Sequence, residues 1–200
     1  NGVRTIALST MLPDITRPTI VDGATQPGSV CGTLVPLNAS GAITQSGQTP
    51  HTLNIEIQGG SLNFNVSAAG SGLRGLALAQ SVNMSAPNSL VECNYFGANS
   101  SGVSQAILRP LTVGATADDT EVRNNLFASA INWWVGVRGK SADNLSGVNL
   151  HNNLIGTSPD GRSANTTVLE AQTSGLSADY TSDLAVKDNI FASVLATAVP

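Results

Sequence analysis

One heptapeptide pattern occurs four times, and it restricts the fold more than any other feature of the chain. The copies are Val91-Glu-Cys-Asn94-Tyr-Phe96-Gly97, Val122-Arg-Asn-Asn125-Leu-Phe127-Ala128, Leu150-His-Asn-Asn153-Leu-Ile155-Gly156 and Val186-Lys-Asp-Asn189-Ile-Phe191-Ala192. Aligned on the asparagine, position −3 holds Val, Val, Leu and Val. Position +2 holds Phe, Phe, Ile and Phe, and position +3 alternates Gly and Ala. A degenerate fifth copy, Leu73-Arg-Gly-Leu76-Ala-Leu78-Ala79, places Leu in the asparagine column. The asparagines are 31, 28 and 36 residues apart. Repeats built of helix pairs keep a tighter period, whereas stacked strands accept loops of unequal length that bulge outward.

These columns are what stacked parallel strands require. Strands of successive turns lie about 4.8 Å apart, so like side chains sit on like. Val on Val and Phe on Phe bury apolar surface inside a tube. Asn on Asn exchanges amide hydrogen bonds, which satisfies a polar group that is costly to bury alone. Asparagine also tolerates the left-handed backbone of a sharp corner, so these residues are expected at corners. Thr52–Ile57 and Leu62–Val66 alternate as strands do, with Gly59-Gly60 ending the first. An antiparallel sandwich has short strands too, but no reason to repeat one heptapeptide. The expected fold is all-β: a single-stranded right-handed parallel β-helix, a solenoid occupying residues 1–200 as one domain. Handedness follows from the general preference of parallel crossovers.

Composition narrows the partners. Only 11% of residues are Asp, Glu, Lys or Arg, and the net charge is −4. Nucleic acid and anionic membranes are disfavoured, because phosphate binding needs clustered Lys and Arg. No stretch approaches the roughly 18 apolar residues of a membrane span. The chain starts at Asn1 without a signal peptide, which points to a processed chain or a piece of a longer one. Cys31 and Cys93 lack the spacing of a zinc site. They are compatible with one disulfide in an oxidising compartment, or with two buried thiols packed as small hydrophobes.

The opening Thr5–Gly28 stretch, Leu73-Arg-Gly-Leu-Ala-Leu78, Asn94-Tyr-Phe-Gly-Ala-Asn-Ser-Ser-Gly102 and Asn153-Leu-Ile-Gly-Thr-Ser-Pro-Asp-Gly161 resemble bacterial surface and secreted proteins with pectin-lyase-like right-handed β-helices. The resemblance implies an extracellular, secreted or cell-surface location. Many such proteins look like exoproteins or adhesins, but the fold also hosts pectate lyases, polygalacturonases and phage tailspikes. Little sequence precedes the Leu12-Pro-Asp-Ile15 phrase, and the chain closes on Leu195–Pro200, so uncapped ends are expected to meet missing sequence or a partner.

Asp118-Asp119 is the sharpest catalytic candidate, since paired carboxylates serve as acid and base in glycoside hydrolysis. Arg138-Gly-Lys140 follows, as an Arg-x-Lys follows the Asp pair in polygalacturonase-like enzymes, yet no Gly-His-Gly lies between them. Asp119 also sits six residues before Asn125, the offset of Asn88, Gly147 and Asp183 from their own asparagines, so the pair reads equally as a turn. A lyase would gather Asp118, Asp119 and Glu121, with Asp143, Asp179 and Asp183, around calcium. Trp133 and Trp134 form the only tryptophan pair and are suited to stacking on sugars; alternation buries one and exposes the other. His51, beside Pro50 in a polar stretch, is expected to be solvated. Six Asn-x-Ser/Thr sequons, at Asn38, Asn65, Asn83, Asn99, Asn144 and Asn165, are near the number chance supplies.

The functional expectation is a non-catalytic extracellular module: spacer, adhesin or unit that self-associates through its ends. Asn94, Asn125, Asn153 and Asn189 form its structural ladder, and no cofactor is required. The alternative is a lyase or hydrolase acting on an acidic polysaccharide or surface glycan through Asp118, Asp119 and Arg138, with calcium.

Overall fold

A computed structural model describes residues 2–105, 107–141, 144–163 and 174–192. Asp143, Asn165 and the 195–200 segment lie outside the described residues. Among the described residues the protein is all-β, with one short 3-10 turn at Val66–Ala68. Every pairing between its named strands is parallel.

One sheet contains, in spatial order, β2 (Ile20–Asp22), β4 (Gly72–Arg74), β6 (Leu90–Glu92), β9 (Glu121–Arg123), β13 (Asn149–His151) and β17 (Ala185–Lys187). A larger sheet has two arms. The first arm holds β1 (Arg4–Ala7), the starts of β3 (Ile55–Phe64) and β5 (Ala77–Met84), then β7 (Tyr95–Phe96), β10 (Leu126–Phe127), β14 (Leu154–Ile155) and β18 (Ile190–Phe191). The second arm holds the ends of β3 and β5, with β8 (Leu111–Val113), β11 (Trp133–Arg138) and β15 (Ser174–Asp179). A small pair joins β12 (Leu145–Ser146) to β16 (Thr181–Ser182). From β4 onward the chain visits the first sheet, the first arm and the second arm in that cyclic order.

Register turns the repeat into columns. Val21, Leu73, Val91, Val122, Leu150 and Val186 are successive partners. So are Ile6, Ile57, Leu78, Phe96, Phe127, Ile155 and Phe191. The Phe96 and Phe127 rings stack at 4.8 Å, the separation expected of neighbouring strands. Leu62, Val82, Leu111, Val135 and Leu176 form the matching column of the second arm. The inner members of these three columns converge on one continuous apolar core, while Ile6, Val186 and Phe191 at the ends are exposed. Leu73 and Val91 are only 18 residues apart, which is the minimal row; longer rows carry their excess in loops. Gly59-Gly60 does not end a strand, contrary to expectation. β3 runs through the pair, with a register shift between Gln58 and Ser61 and both glycines at positive φ. A Cβ at Gly59 would meet the Leu8 carbonyl oxygen, so the bend needs glycine.

The asparagine column is fully buried at Asn94, Asn125 and Asn153. Asn94 Nδ2 donates to Asn125 Oδ1 (3.1 Å), Asn125 Nδ2 to Asn153 Oδ1 (3.1 Å) and Asn153 Nδ2 to Asn189 Oδ1 (2.8 Å). Each Oδ1 also accepts the backbone N–H of the preceding row, and each Nδ2 donates to a carbonyl of that row. In the degenerate row the Leu76 N–H donates to Asn94 Oδ1. The left-handed residue is not the ladder asparagine but the one before it: Gly75, Cys93, Asn124, Asn152 and Asp188 all have positive φ. The ladder side chain turns inward to hold neighbouring rows, and its predecessor bends the chain. Gly70, Asn88, Asp119, Gly147 and Asp183 form a second left-handed column at the preceding corner.

The outward side of β7, β10 and β14 is not solvated. Tyr95, Leu126 and Leu154 pack beneath Leu34, Val35 and Leu53, which belong to the long 23–54 connection between β2 and β3. The 31–35 stretch of this connection, hereafter the strap, crosses three rows and is held by the left-handed column. Cys31 and Cys93 form a disulfide, with Cα atoms 5.6 Å apart. Asn124 Nδ2 donates to the Gly32 carbonyl (2.8 Å), and Asn124 Oδ1 accepts the Leu34 N–H (3.0 Å). Asn152 Nδ2 donates to the Val35 carbonyl (3.0 Å). His51, expected in solvent, is instead buried under this strap. It lies in a polar stretch because that stretch folds back onto the sheet.

Candidate functional site

Three surfaces carry the chemistry-bearing side chains. The first is the outer face of the β2–β17 sheet. One position beyond the Val/Leu column, the chain places Asp22, Arg74, Glu92, Arg123, His151 and Lys187 in register. The first four alternate in sign. Arg74 pairs with Asp22 (2.6 Å) and Glu92 (3.8 Å), and Arg123 with Glu92 (2.9 Å) and Glu121 (3.0 Å). His151 Nε2 faces Glu121 Oε1 at 2.8 Å. The hydrogen bond from Arg74 holds the Asp22 carboxyl below the usual carboxylate range. Burial would raise Glu121, but hydrogen bonding to His151 and the charge of Arg123 keep it low. Beside this ladder, Ile20, Gly72 and Leu90 floor a groove of about 550 Å³. Every carboxylate on this face already has a cationic partner, so the face is built for cohesion between rows.

The second surface contains the paired carboxylates. Asp118 lines an open groove of about 680 Å³ together with Thr116, Lys140 and Asn144. Its Oδ1 accepts the Ser146 N–H (2.8 Å) and Ser146 Oγ–H (3.3 Å), which ties two rows at the corner. Asp119 occupies the left-handed position of that corner at φ 56°, and its carboxylate abuts Gly147. Lys140, not Arg138, shares the groove with Asp118.

Arg138 belongs to the third surface, on the second arm. It pairs with Asp179, donates to Ser177 Oγ (2.9 Å) and lies 4.3 Å from the Trp133 ring centroid. Arg109 lies 4.4 Å from the same centroid. Trp133 is half-buried and engaged by these two guanidinium groups rather than bare. Trp134 is wholly buried in the core. Alternation along β11 therefore separates the pair, and Trp133 alone reaches the surface.

Among the described residues, no group of three or more His, Cys, Asp and Glu side chains converges as a metal site would require. Glu121 and Asp179, candidates for a calcium cluster, are instead ion-paired to Arg123 and Arg138. The sequence reading missed the charged ladder, although its signal lay in the aligned repeat: Glu92, Arg123, His151 and Lys187 share the position after the Val/Leu column. No helix among the described residues is long and apolar enough to cross a membrane. Comparison with protein-family models, with curated proteins and with solved structures finds no match to this chain.

Proposed function

We propose that the chain is a right-handed parallel β-helix of the pectin-lyase-like kind and that it works outside the cell as a non-catalytic module, a spacer, adhesive stalk or self-assembling unit. The observation that carries this reading is the cyclic order of the three strand sets, with the same residue columns in register from row to row. Right-handedness rests on the preference of parallel crossovers. The extracellular location is supported by the Cys31–Cys93 disulfide, because such bonds persist in oxidising compartments. A non-catalytic role is supported by the use of the acidic and basic side chains: Asp22, Glu92, Glu121 and Asp179 pair with arginine, and Asp118 and Asp119 build a corner.

The competing reading is a carbohydrate-active enzyme on an acidic polysaccharide. It is favoured by one feature, the groove that Asp118 shares with Lys140. A glycan array and a polysaccharide-degradation screen, each run with and without calcium, separate the two. Binding without cleavage, or no binding, is the expected result. Product release that disappears in both Asp118→Asn and Lys140→Met would overturn the non-catalytic reading.

A further inference from the structure

His51 sits where the strap, the asparagine corner and the first arm meet. It is 5% exposed. Its Nδ1 lies 2.9 Å from the Gly32 backbone nitrogen, whose hydrogen points at it, so Nδ1 must present its lone pair. Its Nε2 lies 2.8 Å from the Asn124 carbonyl oxygen, so Nε2 must carry the proton. The two contacts together specify the neutral Nε2–H tautomer. The ring stacks on Tyr95 with centroids 5.3 Å apart, and Tyr95 Oη–H donates to the His51 carbonyl (3.1 Å). Beside it, the Cys31–Cys93 disulfide closes the same end of the strap.

We propose that His51 is an acid-sensitive latch: protonation of its Nδ1 releases the strap from the corner while the disulfide keeps it tethered, uncovering the apolar outer face of Tyr95, Leu126 and Leu154. A proton on Nδ1 removes the acceptor of the Gly32 N–H and sets two N–H groups against each other. The resulting cation is buried, and the Asn124 carbonyl is the hydrogen-bond acceptor left to it. Gly32 and Leu34, both bonded to the Asn124 side chain beside this contact, then lose their seat on the corner.

The electrostatic surroundings agree. Burial pushes His51 down to about 4, opposed only by the hydrogen bond to the Asn124 carbonyl. The groups facing it are Tyr95, pushed up to about 12 by burial, together with Gly32 and Asn124, all uncharged at neutral pH. The second histidine, His151, is bonded to the other corner residue that holds the strap, since its Nδ1 faces Asn152 Oδ1 at 2.6 Å. Its nitrogens face two acceptors, Asn152 Oδ1 and Glu121 Oε1, with Arg123 and Lys187 in register on either side. Protonation of His51 therefore breaks its contact with the Gly32 N–H.

A histidine whose pKa is lowered in the closed state stabilises that state fully above its ordinary value near 6.5, and the contribution is lost as pH falls toward 4. A drop from 6.5 to about 4 makes the strap-opening equilibrium about 300-fold more favourable below pH 4 than at pH 7.5. The test is hydrogen exchange at the Gly32 and Leu34 amides of the intact, disulfide-bonded chain, corrected for intrinsic rates, at pH 7.5 and pH 3. His51→Gln is the comparison, because glutamine keeps one donor and one acceptor and does not titrate. The latch predicts a large loss of protection in the wild type, at most a small one in His51→Gln, and retained protection at Val122 and Leu150. Equal profiles in the two proteins, or simultaneous loss at Val122 and Leu150, would overturn it. Should His51→Gln not fold, the imidazole is titrated in the wild type by two-dimensional NMR. A neutral Nε2–H ring that protonates together with strap release supports the latch, and titration near pH 6.5 without any change in exchange refutes it.

Discussion

Replacing Asn125 by leucine tests the central structural claim, because the degenerate row already tolerates Leu76 in that column. Asn125 is wholly buried in the middle of the ladder. Its Oδ1 accepts both the Asn94 N–H (3.0 Å) and Asn94 Nδ2 (3.1 Å), and its Nδ2 donates to the Val91 and Arg123 carbonyls (2.9 and 2.8 Å) and to Asn153 Oδ1 (3.1 Å). After the substitution Asn94 Nδ2 retains the Leu73 carbonyl, and Asn153 Oδ1 retains the Asn125 N–H. The Asn94 N–H is left buried without a partner, whereas the Val91 carbonyl keeps its place in the β6–β9 ladder. Such an orphan costs about 1–3 kcal/mol, and the side-chain ladder bonds lost with it roughly offset the apolar gain of leucine, so the net loss is about 1–3 kcal/mol. The readout is urea denaturation followed by circular dichroism, with the m-value compared to confirm that the same surface unfolds. Asn189→Leu, at the last row, is the control. Its Oδ1 also takes two donors from Asn153, but the site is only part-buried and water can replace them, so about 1 kcal/mol is expected. A loss below about 1 kcal/mol at Asn125, or a loss at Asn189 as large as at Asn125, would refute the claim that the ladder holds neighbouring rows together.

Removing the disulfide with Cys31→Ala and Cys93→Ala frees a connection of 62 residues; chain entropy sets the cost at about 4 kcal/mol, to be read as a drop in the urea midpoint. Phe127→Ala should cost about 3–5 kcal/mol, because the ring is wholly buried and stacked on Phe96, whereas Phe191→Ala in the same column should cost far less, since Phe191 is 42% exposed. Asp119→Gly should be nearly neutral and Asp119→Val costly by about 1–2 kcal/mol, because φ is 56° and Gly147 fills the equivalent corner of the next row; equal stabilities would contradict the turn role. Asp22 is held low by Arg74, so its contribution is complete above the ordinary aspartate value and lost as pH falls below it; Asp22→Asn should flatten that part of the acid-denaturation curve.

The repeat in the sequence determined the columns. Parallel strands in one register expose every row to the same neighbours, so Val122, Asn125 and Phe127 face Val91, Asn94 and Phe96, and the amino-acid pattern prints itself once per row. The turn character of Asp119 was legible for the same reason, as was the division of Trp133 from Trp134 by alternation. The left-handed residue was misplaced by one position because Asn124-Asn125 and Asn152-Asn153 offer two asparagines at each corner, and sequence pattern alone does not say which bends and which bonds. The strap was not legible at all. Its contacts join Gly32 to Asn124 and Val35 to Asn152 across 92 and 117 residues, occur once, and leave no period to detect. Only the tertiary structure decided that Cys31 reaches Cys93, that His51 is enclosed, and that Arg138 turns to Asp179 while Lys140 joins Asp118. Interactions repeated by translation are encoded locally and many times over; interactions made once between distant segments depend on where the whole chain has already placed its surfaces.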